Sequence, residues 1–373
     1  MIFQFKMATR PSMNSTKSLS QWHPPHMKNT PKKVVRFNFW SDASFEDILG
    51  ASPQASLEVL DVRGDEERNW AHLAQADIYH ISSAKDEVPP AWLVTPQLIQ
   101  RCPALVCVST AGAGYDTVDV QACTQAGILV VNQAGGNANS VAEHAIGLML
   151  AVARRIVESD HRLRTETGFS REDLMGHELN GKVLGLVGLG HTGTRTARLG
   201  AAFGMRVLAY DPYLDENAIA ARGAQAATLE QLLEASDIVS LHCPRTRETS
   251  GMLGAQAFAK MKRRALFIST ARGGIHDEAA LHGALASGHL GGAGLDVWQV
   301  EPPRADHPLL SLRNVVSTYH TAGVTHECRR NVATMAAEQI LQVCRGETPA
   351  RMVNSEVLPD FLARLRAAAD FFE

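Results

Sequence analysis

Two successive series of short apolar segments, each alternating with helical patterns, constrain the fold of this chain more than any other feature. Several segments are apolar at consecutive positions, which is typical of strands buried on both faces of a parallel sheet. The first series comprises Val34–Phe39, Leu57–Asp61, Ile78–Ser82, Leu105–Ser109 and Ile128–Asn132. The second comprises Val183–Val187, Arg206–Tyr210, Ile238–Leu241, Ala265–Ser269, Gly291–Leu295 and Val315–Thr318. The pattern predicts an α/β protein with two doubly wound parallel-sheet domains, for which 373 residues are sufficient.

Helical patterns lie between these segments, as the crossover connections of parallel strands require. The longest, Ser140–Val157, is apolar over most of its circumference and is expected to be buried. Ser140 is its predicted N-cap, and Glu143 would complete a capping box. The polar stretch Arg162–Gly181 is interpreted as a loop or an arm. The other predicted helices are Thr117–Ala126, Thr194–Ala202, Leu229–Ala235, Asp277–Ser287 and Glu327–Arg345, and the C-terminal LARLRAAADFFE is helix-prone.

The net charge of −3 conceals an uneven distribution. Residues 1–41 contain seven bases and no acid, so the rest of the chain carries −10. Residues 1–31 are rich in Ser, Thr, Asn, Met and Pro and lack the apolar core of a secretory signal. They are predicted to be a disordered basic extension or the product of an early start codon, and an organelle transit peptide is the less favoured interpretation.

Composition also argues against several classes of protein. The chain has no run of about 18 uncharged apolar residues that would predict a membrane span, and its near-neutral charge does not indicate nucleic acid as a partner. The six cysteines form no CxxC pair and are interpreted as reduced thiols in a cytoplasmic protein. No HExxH motif or Cys/His cluster is visible, and His320 and His326 have no common ligand spacing, so no metal site is predicted.

The strongest cofactor signal is a GxGxxG pattern formed by Gly188, Gly190 and Gly193, directly after a predicted strand and before a predicted helix. The first glycine permits a tight turn, the second lets backbone approach a pyrophosphate, and the third lets the helix pack on the strand. Asp211 follows the next strand, where a carboxylate accepts from a ribose 2′-hydroxyl and repels a 2′-phosphate. The pattern predicts a Rossmann domain that binds NAD in preference to NADP.

Further motifs occur along the chain: STAGAGYDTVD at 109–119, GGNANSVAEHA at 135–145, LNGKVLGLVGLGHTG at 179–193, LHCP at 241–244, STARGG at 269–274, GLDVWQVEPP at 294–303 and YHTAG at 319–323. On these motifs, the chain from Val34 to Asn354 resembles the D-isomer-specific 2-hydroxyacid dehydrogenase family. The resemblance implies a discontinuous flavodoxin-like substrate domain of residues 32–138 and 325–355, a Rossmann domain of residues 139–324 and a C-terminal tail of residues 356–373. It also implies a homodimer.

The resemblance implies that Arg272, Glu301 and His320 form the catalytic set. A 2-hydroxy acid loses its hydroxyl proton as hydride leaves for the nicotinamide, and histidine suits the transfer of that proton near neutral pH. The glutamate can hydrogen-bond the far ring nitrogen and set its tautomer. The arginine presents a charged fork to the carbonyl and carboxylate of a 2-oxo acid.

The resemblance also implies two groups of binding residues. Those for the cofactor are Gly188, Gly190, His191, Thr192, Gly193, Asp211, His242, Cys243, Pro244, Thr270, Ala271, Arg272, Asp296, His320 and Gly323. Those for the substrate are Thr110, Ala111, Gly112, Ala113, Arg272 and His320. Cys243 is interpreted as a small lining residue and not as a nucleophile.

By the same resemblance, residues 110–114 form the substrate loop, and no cation lies near it at Val108, Ser109 or Thr110. We therefore predict a small unphosphorylated acid of the glyoxylate or hydroxypyruvate type, with phosphoglycerate dehydrogenase activity as the alternative. A second alternative from another class is an NAD-sensing protein that resembles transcriptional corepressors and binds peptide motifs. Neither a membrane nor a nucleic acid is a predicted partner.

Overall fold

Two parallel sheets, one of five strands and one of seven, form the framework of the protein. The computed structural model describes residues 30–370, with the side chains of the C-terminal helix described to residue 365. The predicted basic extension therefore lies almost entirely outside the described residues. The two sheets confirm the predicted α/β fold with two doubly wound units.

The first sheet contains the five strands of the first predicted series, with ends that differ by at most two residues from the prediction. Their order is β2-β1-β3-β4-β5, which is the flavodoxin-like order. The strands are β1 (Lys32–Phe37), β2 (Ala55–Leu60), β3 (Ile78–Ile81), β4 (Cys107–Thr110) and β5 (Leu129–Val131). The helices between them are α1 (Ser44–Gly50), α2 (Glu66–Leu73), α3 (Pro96–Arg101) and α4 (Val120–Gln125).

The second sheet has the order β12-β11-β10-β9-β6-β7-β8, so β6 lies between β7 and β9 as the first strand of a Rossmann fold does. Its strands are β6 (Val183–Val187), β7 (Arg206–Tyr210), β8 (Gln225–Ala226), β9 (Ile238–Leu241), β10 (Leu266–Ser269), β11 (Gly292–Leu295) and β12 (Val315–Ser317). The sequence did not predict the two-residue edge strand β8. The helices that follow β6 to β10 are α7 (His191–Ala202), α8 (Glu216–Ala221), α9 (Leu229–Ala235), α10 (Ala255–Lys260) and α11 (Glu278–Ala286).

The helix predicted over Ser140–Val157 is in fact two helices, α5 (Ala138–Ala153) and α6 (Ile156–Thr165). Arg155 interrupts them with a left-handed φ of 51°, and its guanidinium bonds Glu158 and the Asp173 carbonyl. The apolar face of α5 packs in one core cluster with residues of β6 and β10. The predicted capping box is wrong: the N-cap is Asn137, and Ser140 hydrogen-bonds Thr325 from inside the helix.

After the second sheet the chain returns to the first through α12 (His326–Cys344). Ala336, Ala337 and Ile340 of this helix lie in one core cluster with residues of β3, β4 and β5, which supports the discontinuous first domain. The domain limits themselves stay predictions.

The segment predicted as a C-terminal tail forms a helix, α13 (Leu358–Asp370), that packs on the first sheet's core. Phe361 and Leu365 are buried one turn apart, and the Arg364 guanidinium donates to the carbonyls of Ala126 and Leu105. The helical propensity of this segment is therefore confirmed, and its apolar face explains why the segment is docked. Among residues 30–370, no helix has the length and apolar character needed to cross a bilayer.

Candidate active site

Loops at the carboxyl ends of both sheets face each other and enclose a cavity of about 740 Å³. Ligands of doubly wound proteins bind at these ends of the strands. The first sheet contributes the segments that follow β1, β3, β4 and β5, and the second contributes those that follow β6, β9, β10, β11 and β12. Most of the residues predicted from the sequence therefore meet in one place.

The three glycines after β6 have the geometry that a dinucleotide-binding turn requires. Gly188 has a φ of +92°, and a Cβ there would lie 2.7 Å from the backbone nitrogen of Cys243. A Cβ on Gly193 would lie 2.3 Å from the Gly188 carbonyl oxygen, whereas a Cβ on Gly190 would meet nothing within 4 Å. Gly190 caps α7, whose first N–H groups have no partner inside the helix and can bind phosphate. The turn thus fits a pyrophosphate.

Asp211 lies directly after β7, next to this turn. Its carboxylate accepts from the Leu189 amide at 2.9 Å and from the Tyr213 amide at 3.1 Å. Each bond uses a different oxygen, so the side chain is held in place while both oxygens keep lone pairs for a further donor. A ribose hydroxyl is such a donor.

A buried carboxylate, Asp296, organises the segment that carries His320. Its Oδ1 accepts from the Thr318 hydroxyl at 2.6 Å and from the Thr321 amide at 2.8 Å, and its Oδ2 accepts from the Ala322 amide at 3.0 Å. Its carbonyl accepts from the His320 amide at 2.7 Å. Asp296 was predicted to bind the cofactor; it lines the cavity, and it also fixes the backbone on both sides of His320.

His320 and Glu301 form a close pair at the cavity wall. His320 Nδ1 lies 2.8 Å from Glu301 Oε2, and the Trp298 amide donates to Glu301 Oε1 at 3.0 Å. Because a carboxylate only accepts, Nδ1 carries the proton and Nε2 is the ring nitrogen available to a ligand. Partial burial would raise the pKa of Glu301, but the hydrogen bonds from His320 and Trp298 hold that pKa below its ordinary value. Glu301 is therefore ionised at neutral pH.

Arg272, after β10, reaches across the cavity to the loop after β4. Its Nε donates to Asp116 Oδ2 at 3.0 Å and its Nη1 donates to the Ala271 carbonyl at 2.8 Å. A Cβ on Gly114 would lie 2.1 Å from Arg272 Nη2, so this end of the guanidinium rests against the substrate loop. The free Nη2 therefore lies where the substrate's acid group was predicted to bind.

Hydrogen bonds from neighbouring segments hold the predicted substrate loop in place. Two of its residues do not offer the substrate the groups that were predicted. Thr110 is fully buried and donates its hydroxyl to the Gly112 carbonyl at 3.1 Å, so it does not line the cavity. The Ala111 amide donates to the Ile81 carbonyl at 2.8 Å and is not free for a ligand. Asn132 donates to the Ala113 carbonyl at 2.8 Å. The Gly112 and Ala113 carbonyls thus face donors within the protein. The amides of the same two residues are candidate hydrogen-bond donors to a substrate carboxylate.

The remaining predicted residues line the cofactor side of the cavity. Burial raises the pKa of the Cys243 thiol to about 11, so this side chain is a neutral lining group at neutral pH and not an activated nucleophile. Burial also lowers the pKa of His242 to about 4. The others of this group that line the cavity are His191, Thr192, Pro244, Thr270, Ala271 and Gly323.

Several cavity residues were missed by the sequence reasoning. Asp116 lies in the same motif as the substrate loop, and Arg245 directly follows the LHCP motif, so these motifs could have indicated both residues. Arg329 on α12 lies over the Trp40 ring, 5.5 Å from its centroid, and also lines the cavity. Helix α12 begins only six residues after His320, but an arginine within a helical pattern belongs to no motif, so the sequence did not indicate Arg329.

Two facing doubly wound sheets, with a dinucleotide turn in one and an oriented histidine beside it, define the class of NAD-dependent oxidoreductases. Residues 146–322 match the model of the family described as D-isomer specific 2-hydroxyacid dehydrogenase, NAD binding domain. A glyoxylate reductase of Korarchaeum cryptofilum is 39% identical over 296 residues, which are 74% of this chain and 89% of that protein. The chain belongs to the D-isomer specific 2-hydroxyacid dehydrogenase family.

Other relatives differ in length and in name. A D-3-phosphoglycerate dehydrogenase of Archaeoglobus fulgidus is 43% identical over 70% of this chain, but the match covers 49% of that protein. The chain thus spans about half the length of the phosphoglycerate dehydrogenases to which it is similar. Among solved structures, D-lactate dehydrogenase of Aquifex aeolicus, complexed with NAD and lactic acid, has a TM-score of 0.74 at 27% identity and covers 86% of this chain and 98% of its own.

Proposed function

We propose that the protein interconverts a small, unphosphorylated D-2-hydroxy acid and the corresponding 2-oxo acid, of the glyoxylate or hydroxypyruvate type, with NAD(H). The observation that carries the proposal is the His320–Glu301 pair, at 2.8 Å, facing the same cavity as Arg272 and the dinucleotide turn. An oriented general acid beside a fixed cation is what carbonyl reduction needs.

In the reducing direction, the bound cofactor supplies hydride to the carbonyl carbon of the 2-oxo acid. His320 donates a proton from Nε2 to the carbonyl oxygen as negative charge develops there, and its Nδ1 proton stays on the bond to Glu301. The Glu301 carboxylate stabilises the imidazolium from which that proton comes. Arg272 Nη2 and the loop amides hold the substrate carboxylate, so the carbonyl is presented to His320. Oxidation runs through the same groups in reverse.

The charge of the loop after β3 favours an unphosphorylated substrate. Asp86 and Glu87 of this loop line the cavity, and Ser82, Ser83 and Ala84 supply the rest of the loop's cavity wall. Tyr319 donates its hydroxyl to Asp86 Oδ2 at 2.7 Å, which brings this acidic loop close to the segment of His320. Carboxylates at this wall repel a second anionic group on the substrate.

A second candidate, oxidation of 3-phosphoglycerate, is favoured by a different observation. Arg329, over the Trp40 ring, is a further cation in the cavity lining, grouped with Ser41 and His80. A guanidinium in this position could bind a phosphate. Several relatives are named D-3-phosphoglycerate dehydrogenase, which is a further reason to test this substrate.

A substrate panel tests the proposal. Purified protein is mixed with NADH and, in turn, glyoxylate, hydroxypyruvate, pyruvate and 3-phosphohydroxypyruvate, and kcat/KM is measured from NADH consumption. We expect glyoxylate or hydroxypyruvate to exceed the phosphorylated acid by about tenfold or more, because one repelled anion costs on the order of 1–2 kcal/mol. A preference for the phosphorylated acid that is lost in Arg329→Met would favour the second candidate. NADH binding without turnover of any acid would favour the corepressor-like sensor.

We further propose that the protein is a homodimer, in which α6 and the segment after it are covered. Leu163 and Met175 are 76% and 72% exposed, and Ile156 and Val157 are also exposed, so four large apolar side chains between positions 156 and 175 face solvent. Light scattering should give the mass of two chains, and Leu163→Glu should shift it towards one. A monomeric wild-type protein would contradict this proposal.

Cytoplasmic localisation is likewise proposed, because all six cysteines are free thiols.

A further inference from the structure

One carboxylate, Asp116, pairs with two arginines from the other half of the cavity. Its Oδ2 accepts from Arg272 Nε at 3.0 Å and its Oδ1 accepts from Arg245 Nη2 at 3.1 Å. Asp116 follows β4 of the first sheet, whereas Arg245 and Arg272 follow β9 and β10 of the second. The two bonds therefore exist only while the loops of the two sheets face each other.

The backbone around Asp116 is held by its own sheet. The Thr117 hydroxyl donates to the Ser82 carbonyl at 2.7 Å, and the Val94 amide donates to the Thr117 carbonyl at 3.0 Å. The Asp119 amide donates in turn to the Val94 carbonyl at 2.8 Å. Because these bonds fix the chain directly after Asp116, its carboxylate is a fixed point and not a mobile surface charge.

The pairing decides which donors of Arg272 remain for a ligand. A guanidinium has five N–H donors in a rigid plane, so binding Nε to Asp116 and Nη1 to the Ala271 carbonyl sets the direction of that plane. Nη2 is then directed at Gly114 of the substrate loop. Partial burial would raise the pKa of Asp116, but the charges and hydrogen bonds of Arg272 and Arg245 keep that pKa below its ordinary value. Asp116 is therefore a full negative charge in the neutral range.

We propose that Asp116 is a positioning residue for the reaction: it orients the Arg272 guanidinium from the opposite sheet and so couples the approach of the two domains to completion of the substrate site. This inference rests on the proposed function, in which Arg272 binds the acid substrate. Arg245 serves as the second cation that neutralises Asp116, so the carboxylate does not cancel the charge with which Arg272 attracts the substrate.

The variant Asp116→Asn tests this role, because it keeps the shape but has one acceptor oxygen, so one arginine keeps a weaker bond while the other faces an NH₂ donor. We expect kcat for the preferred 2-oxo acid to fall about tenfold, since hydrogen bonds to charged groups are worth about that factor or more. KM should change less than about threefold, because the positive charge that attracts the substrate remains. Affinity for NADH should not change, since Asp116 lies on the substrate loop.

Asp119→Asn is the matched control, because Asp119 caps α4 through the Ala122 amide and Asn caps a helix equally well. It should match the wild type in kcat. Equal kcat values for Asp116→Asn and Asp119→Asn, or a rise in KM alone, would overturn the proposal. If Asp116→Asn does not fold, Arg245→Gln decides: a fall in kcat of about threefold supports the coupling, and an unchanged kcat overturns it.

A second readout separates this inference from the proposed function. Solvent exchange of the Arg272 Nε–H, followed by NMR on protein labelled in its arginine side chains, should be faster in Asp116→Asn than in Asp119→Asn, whether or not an acid is turned over. If the wild type turns over no acid of the panel, the proposed function fails while this measurement still reports the pairing. Identical exchange in both variants would overturn the pairing itself.

Discussion

Replacing His320 by Gln is expected to lower kcat by about 10²–10⁴, the usual contribution of a general acid or base, while NADH still binds. Glutamine can fill part of the same space and hydrogen-bond Glu301, but it does not release a proton to the carbonyl oxygen. The His320 backbone is held by Asp296 independently of the ring, and the dinucleotide turn at Gly188 packs against His242 and Cys243, so both should be undisturbed. Steady-state NADH consumption gives kcat, and NADH fluorescence titration gives the affinity.

His72→Gln is the matched control for this prediction. His72 Nδ1 also pairs with a glutamate, Glu58, but the pair lies on the first sheet's outer side and neither residue lines the cavity. The same substitution there should leave kcat unchanged. An undiminished kcat in His320→Gln, or an equal loss in both variants, would contradict the role proposed for His320.

Replacing Asp211 by Ala is expected to reduce the preference for NADH over NADPH by about 10- to 100-fold. The carboxylate is directed by the Leu189 and Tyr213 amides next to the glycine turn, where it can accept from a ribose hydroxyl and repel a 2′-phosphate. Losing the charge removes both effects, and a hydrogen bond to a charged group is worth about 1.5–3 kcal/mol. The ratio of kcat/KM for the two cofactors measures the preference.

Asp211→Asn separates the two contributions, because asparagine keeps an acceptor oxygen for one of the two amides but carries no charge. We expect it to accept NADPH nearly as well as Asp211→Ala does, while NADH binding is better retained. Asp215→Asn, at the exposed N-cap of α8, is the control and should keep the wild-type preference. A preference for NADH that survives in both Asp211 variants would show that another group selects the cofactor.

Strand positions were predictable to within two residues because most strands contain an apolar run, and several, such as β3 and β6, are buried on both faces. β6, β7 and β9 have the predicted limits, and the others differ only at their ends. A strand ends where the adjacent strand no longer offers backbone groups for hydrogen bonding, and this depends on the tertiary structure. The same reason explains β8: residues 225–226 have no apolar run and become a strand only by pairing with β7.

The break between α5 and α6 is another feature that local pattern did not indicate. Ile156 and Val157 continue the apolar pattern of α5, and this is why one helix was predicted. In the structure the two side chains are about half exposed, and Arg155 holds the turn through Glu158 and the Asp173 carbonyl. Hydrophobicity specifies that a side chain prefers burial, but not which surface covers it.

The sequence by itself determined the class of fold, the cofactor turn and the residue types of the reacting set, because Gly188, Arg272 and His320 each follow a recognisable strand. Only the tertiary structure decided which of their hydrogen-bonding atoms are free. The Ala111 amide is already bound to the Ile81 carbonyl. Asp116 pairs with Arg272, which is 156 positions away in sequence, and with Arg245, which is 129 positions away. A residue's type follows from local sequence, but its hydrogen-bond partners come from chain segments that only folding brings together.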